Sequence, residues 1–137
     1  MGLLQFAAVE LSQIQPGTMT ITIYHNPRCS KSRKTLEIIE SSGITPQVLR
    51  YLDEPPDGDR ILELAATIGV PVSGLLRRNE DDYRQADDLP DLDDDAALAA
   101  WLARHPRVLQ RPIVIDDAAG VAVIGRPPES VAQILPS

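Results

Sequence analysis

The residues best suited to chemistry in this sequence lie around Cys29, the only cysteine among 137 residues. A thiol attacks as the thiolate, and an ordinary cysteine pKa of about 8.5 leaves little thiolate at neutral pH. Arg28, Lys31 and Arg33 bring positive charge within a few positions of the sulfur, which favours the ionised form. The alternative is a small buried hydrophobe, the commoner role of a lone cysteine. The basic flanks favour the reactive thiol.

Cys29 lies between two predicted elements that would hold it in place. Residues 20–24 alternate β-branched and aromatic side chains and predict a short buried strand. Residues 30–42 have helical spacing, and Gly43 is placed to end that helix. The thiol is therefore predicted at a helix N-terminus, where free N–H groups and the helix dipole stabilise a thiolate or an oxyanion beside it.

Five further polar residues are candidates for the same site. The hydroxyl of Ser32 can donate to the sulfur or to an oxyanion, and His25 either tunes the thiol or serves as a structural hydrogen-bonding residue. Arg77, Arg111 and Arg126 lie at the ends of predicted elements. Each alone has the pattern of an ordinary surface or capping arginine. Together they would supply the bidentate cations that a thiolate needs in order to approach an anion.

The remaining sequence predicts an α/β fold with a four-stranded mixed sheet. The order is strand, helix, strand, helix, a helical insert at about residues 70–106, two strands and a short helix. The predicted elements after the first helix are a strand at 47–52, a helix between Gly58 and Gly69, a small helix containing residues 75–77, a helix starting near Asp93, strands at 113–115 and 121–124, and a helix at 128–135. This order is typical of a thioredoxin-like fold.

Composition limits the classes of function. The net charge of −7 argues against general binding to nucleic acid or anionic membranes. Cys and His residues do not have the spacing of a metal site, and no bound cofactor is indicated. Acidic residues concentrate in residues 80–95. We interpret this segment as a solvent-exposed loop and the start of a helix, in preference to an acidic docking site or a metal site. A single cysteine suits a reducing cytoplasm.

Two regions are assigned from these patterns. Residues 1–18 are predicted to be an extension, disordered or loosely docked, because their apolar run is too short to span a bilayer and lacks the flanks of a secretory signal. Residues 19–137 are predicted to form one domain.

Four separated segments resemble the glutaredoxin-linked arsenate reductases of the ArsC family. They are IYHNPRCSKSR at 23–33, LLRRN at 75–79, HP at 105–106 leading to RPIV at 111–114, and IGRPPE at 124–129. The segments occur in the family's order and spacing, and the likeness runs from about Met19 to Leu135. The NPRCSKSR and GRPPE motifs are most similar to a chromosomal subgroup of the family.

This resemblance implies a thioredoxin-like fold with a helical insert, in which Cys29 attacks arsenate and forms a covalent thiol-arsenate adduct. Glutathione, a co-substrate, then attacks the adduct, arsenite leaves, and glutaredoxin resolves the mixed disulfide. Arg77, Arg111 and Arg126 would bind the oxyanion, and His25 and Ser32 would lower the pKa of the cysteine. A cis peptide is implied between Arg111 and Pro112.

Two other functions remain open at the level of sequence. A general glutathione-linked thiol oxidoreductase would use the same thiol without arsenate, although plain thiol exchange has no need of three arginines. Spx-like transcriptional regulators, which bind RNA polymerase, also resemble the ArsC family. Their switch typically needs a second cysteine three positions after the first, where this chain has Ser32.

Overall fold

A four-stranded mixed β-sheet forms the centre of the structure. The computed structural model describes residues 21–135. The strands are β1 (Ile21–His25), β2 (Gln47–Arg50), β3 (Ile113–Asp116) and β4 (Val121–Ile124), and their spatial order is β2-β1-β3-β4. β1 is parallel to β2 and antiparallel to β3, which is antiparallel to β4. The predicted α/β, thioredoxin-like fold with its mixed sheet is confirmed.

Helices cover both faces of this sheet. They are α1 (Ser30–Ser41), α2 (Gly58–Ile68), α3 (Asp81–Arg84) and α4 (Asp95–Arg104), with 3-10 helices at Val72–Leu75, Pro106–Val108 and Pro128–Ile134. Alternate side chains of a strand point to opposite faces. Val114 of β3 therefore packs with Ile39 of α1, whereas Ile113 and Ile115 pack in the cluster that contains Leu64 of α2. The sheet is thus buried between two apolar layers.

Local sequence signals set most of the helix bounds. Gly43 adopts a φ of 84° just after α1, and Gly69 adopts a φ of 92° at the end of α2, a left-handed conformation that glycine adopts without steric cost. Asp57 and Asp94 cap the N-termini of α2 and α4 by accepting main-chain N–H bonds of 2.8 Å and 3.1 Å. These bounds agree with the predicted helices to within a few residues.

Two predicted elements are shorter than the sequence pattern suggested. The small helix predicted across residues 75–77 ends at Leu75, because Leu76 is extended and bridges Leu109. Strand β2 ends at Arg50 rather than at residue 52, because the Arg50 carbonyl accepts the N–H groups of Asp53 and Glu54 and turns the chain. A short apolar run cannot by itself distinguish a helical turn from an extended segment.

The described residues between α2 and β3 form short helices and turns, together with the isolated bridge between Leu76 and Leu109. The predicted extension at residues 1–18 and Thr20 of the first predicted strand lie outside the described residues, and the domain bounds 19–137 stay a prediction. Over residues 21–135, no helix has the length and apolar character required to cross a membrane.

Candidate active site

Cys29 is the N-cap residue of α1, in the connection from β1. Its backbone is extended, with φ −95° and ψ 121°, and its side chain is half-buried. The turn is held by Asn26, whose carbonyl accepts the Cys29 N–H at 3.0 Å and whose side chain accepts the Arg28 N–H at 3.0 Å. The Asn-Pro turn predicted from the sequence therefore delivers the sulfur to the helix N-terminus, where a reactant can reach it.

The surroundings of Cys29 favour the thiolate. Burial by itself raises the pKa of the thiol, but the main-chain N–H of Ser32, the Arg111 guanidinium and the N–H of Lys31 oppose it, and the net pKa shift is downward. Free N–H groups at a helix N-terminus carry partial positive charge, which favours the thiolate. A lowered pKa increases the fraction of nucleophile at neutral pH.

His25 and Ser32 join the end of β1 to the first turn of α1. Nδ1 of His25 lies 2.6 Å from Oγ of Ser32, and the same oxygen accepts the N–H of Asn26 at 3.0 Å. Burial lowers the pKa of His25, and nearby arginine charges lower it further, so the imidazole is neutral at neutral pH. Ser32 thus acts on the Cys29 thiol through its main chain while its hydroxyl faces His25. A tuning role for the imidazole stays a prediction.

The antiparallel pairing of the sheet brings two of the predicted arginines to the thiol. Tyr24 of β1 pairs with Ile113 of β3, which pairs with Ile124 of β4. The C-terminal end of β1, the start of β3 and the end of β4 therefore share one edge of the sheet. Arg111 lies two residues before β3 and Arg126 lies two residues after β4, so both lie at the edge from which the chain continues to Cys29.

Arg111 and Arg126 also contact each other. Nη1 of Arg126 donates to the main-chain carbonyl of Arg111 at 3.2 Å. The Arg111–Pro112 peptide is cis, as the resemblance implied, and Arg126–Pro127 is cis as well. Each arginine thus directly precedes a cis proline at the edge of the sheet.

Arg77 reaches the same region from the insert. Its N–H donates to the carbonyl of Val108 at 2.6 Å, which fixes the extended segment after the first 3-10 helix. Its Nη1 donates to Oε1 of Glu80, and Nη1 of Arg111 lies 3.4 Å from the same oxygen. A single carboxylate oxygen therefore bridges two of the three predicted oxyanion-binding arginines.

Two residues of this site were not predicted from the sequence. Glu80 was expected among the solvated acids, and its bridge to Arg77 and Arg111 corrects that prediction. The spacing of three positions between Arg77 and Glu80 was an available signal, since such pairs face one another in a helical turn. The contact with Arg111 had no local signal, because it joins segments far apart in the chain.

Tyr51 is the second missed residue. Its side chain is fully buried, and among the described residues its hydroxyl has no hydrogen-bond partner of acceptable geometry; the same holds for Nε of Arg111. Burial raises the pKa of Tyr51, while the charges of Arg111, Cys29 and Arg77 also act on it, so the hydroxyl lies near these groups and stays protonated at neutral pH. Tyr51 follows β2 directly, on the same edge as His25.

Two adjoining cavities at the turn that precedes Cys29 form an open basic groove. One, of about 310 Å³, is lined by Asn26, Arg28, Leu52, Glu80, Arg107 and Arg111. A smaller one of about 190 Å³ adjoins it and shares Asn26, Arg28 and Leu52. Within residues 21–135, the His, Cys, Asp and Glu side chains form no group that could hold a metal ion. The groove concentrates positive charge in a chain whose net charge is −7.

Comparison with known proteins agrees with this geometry. The profile described as the ArsC family matches residues 24–134. The chain belongs to the ArsC family. It is 43% identical over 116 residues to an arsenate reductase of Escherichia coli, covering 85% of this chain and 81% of that protein. It is 44% identical over 117 residues to an arsenate reductase of Neisseria meningitidis serogroup A, covering 84% of this chain and 97% of that protein.

A solved structure of an ArsC-type protein has the same fold. The putative arsenate reductase from Yersinia pestis superimposes with a TM-score of 0.75 at 45% identity, covering 83% of this chain and 99% of that one. The matches cover between 81% and 99% of the length of these relatives. Of the three predicted arginines, Arg111 acts on the Cys29 thiol, while Arg77 and Arg126 are linked to Arg111 through Glu80 and through the Arg111 carbonyl. The roles predicted for the site residues stay predictions.

Proposed function

We propose that this protein is an arsenate reductase that uses glutathione and glutaredoxin. The observation that carries the proposal is a half-buried Cys29 whose pKa is lowered by the Ser32 N–H and the Arg111 guanidinium, with Arg77 and Arg126 linked to that same Arg111. A nucleophile and the donors that neutralise its anionic target lie in the same place. The relatives named arsenate reductase support the same assignment.

The first step joins sulfur to arsenic. The Cys29 thiolate attacks the arsenic of arsenate, an S–As bond forms, and one As–O bond breaks to release hydroxide, which solvent protonates to water. Arsenic remains pentavalent, and the adduct keeps a negative charge on its oxygens. Arg77, Arg111 and Arg126 donate to these oxygens and reduce the repulsion between thiolate and oxyanion.

The second step reduces arsenic. A glutathione thiolate attacks the sulfur of Cys29, an S–S bond forms, and the electron pair of the S–As bond leaves with arsenic. Arsenic becomes trivalent, and arsenite departs after taking up protons from water. The two electrons come from the two sulfur atoms, which end as a Cys29–glutathione mixed disulfide.

The third step regenerates the enzyme. A glutaredoxin thiolate attacks the glutathione sulfur of the mixed disulfide and expels the Cys29 thiolate. This protein has no second cysteine that could do so itself. The need for external thiols places the protein in a reducing compartment, the cytoplasm.

The groove beside the thiol suits glutathione. Glutathione carries two carboxylates and one ammonium group, and Arg28 and Arg107 line the larger cavity next to Arg111. Guanidinium groups bind carboxylates with paired hydrogen bonds. The open groove supports access of the peptide thiol to the sulfur of the adduct.

Reconstitution with each component omitted tests the proposal. We expect arsenite to form from arsenate only when the protein, glutathione and glutaredoxin are all present, and Cys29→Ser to abolish turnover. Wild-type turnover by Cys29→Ser would refute the mechanism. A general thiol oxidoreductase would instead reduce a glutathionylated disulfide substrate and form no arsenite. An Spx-like regulator would bind RNA polymerase without catalysing either reaction.

A further inference from the structure

The carboxylate of Glu80 occupies the donors that the proposed reaction assigns to arsenate. Oε1 of Glu80 accepts from Nη1 of Arg77 and lies 3.4 Å from Nη1 of Arg111. The two arginine side chains are only 13% and 15% exposed, whereas that of Glu80 is 27% exposed. The cations are therefore fixed in the protein, and the carboxylate reaches them from the more accessible side.

A carboxylate and an arsenate oxygen bind the same guanidinium donors in the same way. The charge of Glu80 cancels part of the positive charge that Arg77 and Arg111 would offer to an incoming anion. Glu80 also lines the larger cavity, together with Arg28 and Arg111, so space into which its side chain can turn is present. It lies directly before α3, a helix of four residues, and its backbone position does not depend on the bridge alone.

We propose that Glu80 is a competing carboxylate that sets the charge an oxyanion must carry to bind beside Cys29. In the free protein it pairs with Arg77 and Arg111. An arsenate anion displaces it, and Glu80 returns to the arginines when arsenic leaves as uncharged arsenous acid. This inference rests on the proposed oxyanion site and adds to it a means of preferring charged substrate over neutral product.

The opposite role for Glu80 is a brace that holds the two arginines in position for substrate. The two roles predict effects of opposite sign. Removal of a competitor strengthens oxyanion binding, whereas removal of a brace weakens it. A competitor also assists product release, so its loss should lower the apparent KM for arsenate without raising kcat.

The test uses the full-length protein and Glu80→Gln, which keeps the size and polarity of the side chain and removes its charge. Protection of Cys29 from iodoacetamide by inorganic arsenate, and separately by phosphate, measures binding without turnover. Asp82→Asn is the matched control, because Asp82 is an exposed neighbour and its substitution changes the net charge equally. Glu80→Asp keeps the carboxylate and should restore protection toward the wild-type value.

We expect the half-protecting arsenate concentration to fall about tenfold in Glu80→Gln, which corresponds to about 1.4 kcal/mol, because no carboxylate then competes for the two guanidinium groups. In Asp82→Asn it should change by less than about twofold, the scale of exposed charge effects. An unchanged or higher concentration in Glu80→Gln, relative to Asp82→Asn, overturns the inference alone. Failure of arsenate to protect wild-type Cys29, together with no arsenite formation, overturns the proposed function and this inference together. Thermal unfolding confirms that each variant is folded.

Discussion

Arg126 donates from Nη1 to the main-chain carbonyl of Arg111 across 3.2 Å. The bond joins the chain just before β3 to the chain just after β4, two points that the antiparallel pairing already places at one edge of the sheet. This bond uses one nitrogen of the Arg126 guanidinium to fix the side chain, and the other nitrogens of the planar group remain to bind a ligand. The ammonium group of a lysine has no such planar set of donors.

Arg126→Lys should therefore reduce activity more than stability. Because an ammonium group cannot bond both the Arg111 carbonyl and an oxyanion in the same fixed geometry, we expect kcat/KM for arsenate to fall about 10²-fold, the lower range for loss of one oxyanion donor. Unfolding free energy should fall by no more than about 1.5 kcal/mol, the value of one hydrogen bond. Steady-state arsenite formation and chemical denaturation measure the two. Arg78→Lys, at an exposed neighbour of Arg77, is the control and should match the wild type.

The pH dependence of Cys29 alkylation should reveal the contribution of Arg111 to the lowered pKa of the thiol. Because the folded pKa of the thiol is lowered, alkylation by iodoacetamide should reach half its maximal rate at a lower pH than for an unperturbed thiol. Arg111→Gln removes a hydrogen bond and a positive charge from the thiolate, so this midpoint should move upward. A midpoint in the wild type at or above the ordinary value would contradict an activated thiol, and an unmoved midpoint in Arg111→Gln would contradict the contribution of that guanidinium.

The lowered pKa of Cys29 should also make the unfolding free energy of the protein depend on pH. A thiol whose folded pKa lies below its unfolded pKa adds stability that is fully present above the unfolded pKa and is lost as the pH falls through the folded pKa. The difference in unfolding free energy between wild type and Cys29→Ser should therefore shift in favour of the wild type as pH rises through that window. Denaturation series at several pH values, with reductant present, would measure it. A pH-independent difference would argue against the lowered pKa.

His25 should destabilise the fold in mild acid. Burial lowers its folded pKa below the ordinary value of about 6.5, so the unfolded chain binds the proton first as the pH falls. The contribution of neutral His25 is present above about 6.5 and is lost as the pH falls toward the folded pKa. His25→Asn removes this titration and should flatten the decline in unfolding free energy over that range. An equally steep decline in the variant would assign the acid sensitivity to other groups.

Gly125→Ala should disturb the site through packing. A Cβ at this position would lie 2.6 Å from Oγ1 of Thr35 in α1 and 2.9 Å from Cγ of Pro112, contacts that require a shift of either α1 or the start of β3. We expect a loss of about 1–3 kcal/mol in unfolding free energy and lower arsenite formation, since Arg126 follows directly. Gly58→Ala, where the new Cβ meets its neighbours at 3.5 Å, is the matched control and should leave both measurements near the wild type.

Local signals predicted the position of the thiol and most elements. The alternating apolar strand, the Asn-Pro turn and the helical spacing that ends at Gly43 place Cys29 at a helix N-terminus, as the structure confirms. Each signal acts over a few residues, which is the range over which backbone preference and helix periodicity operate. The helix predicted at Leu76 was wrong because the extended conformation of this residue depends on a bridge to Leu109, which lies far along the chain.

The sequence by itself determined a single thiol with basic neighbours, placed where a strand gives way to a helix, and three arginines at the ends of elements. Only the tertiary structure decided which groups surround that thiol: Glu80 between Arg77 and Arg111, and the buried hydroxyl of Tyr51 beside them. The physical reason is that helix caps and turns are fixed by bonds between near neighbours. A carboxylate or a phenol, in contrast, finds its charged partners only after distant strands have paired and the core has packed.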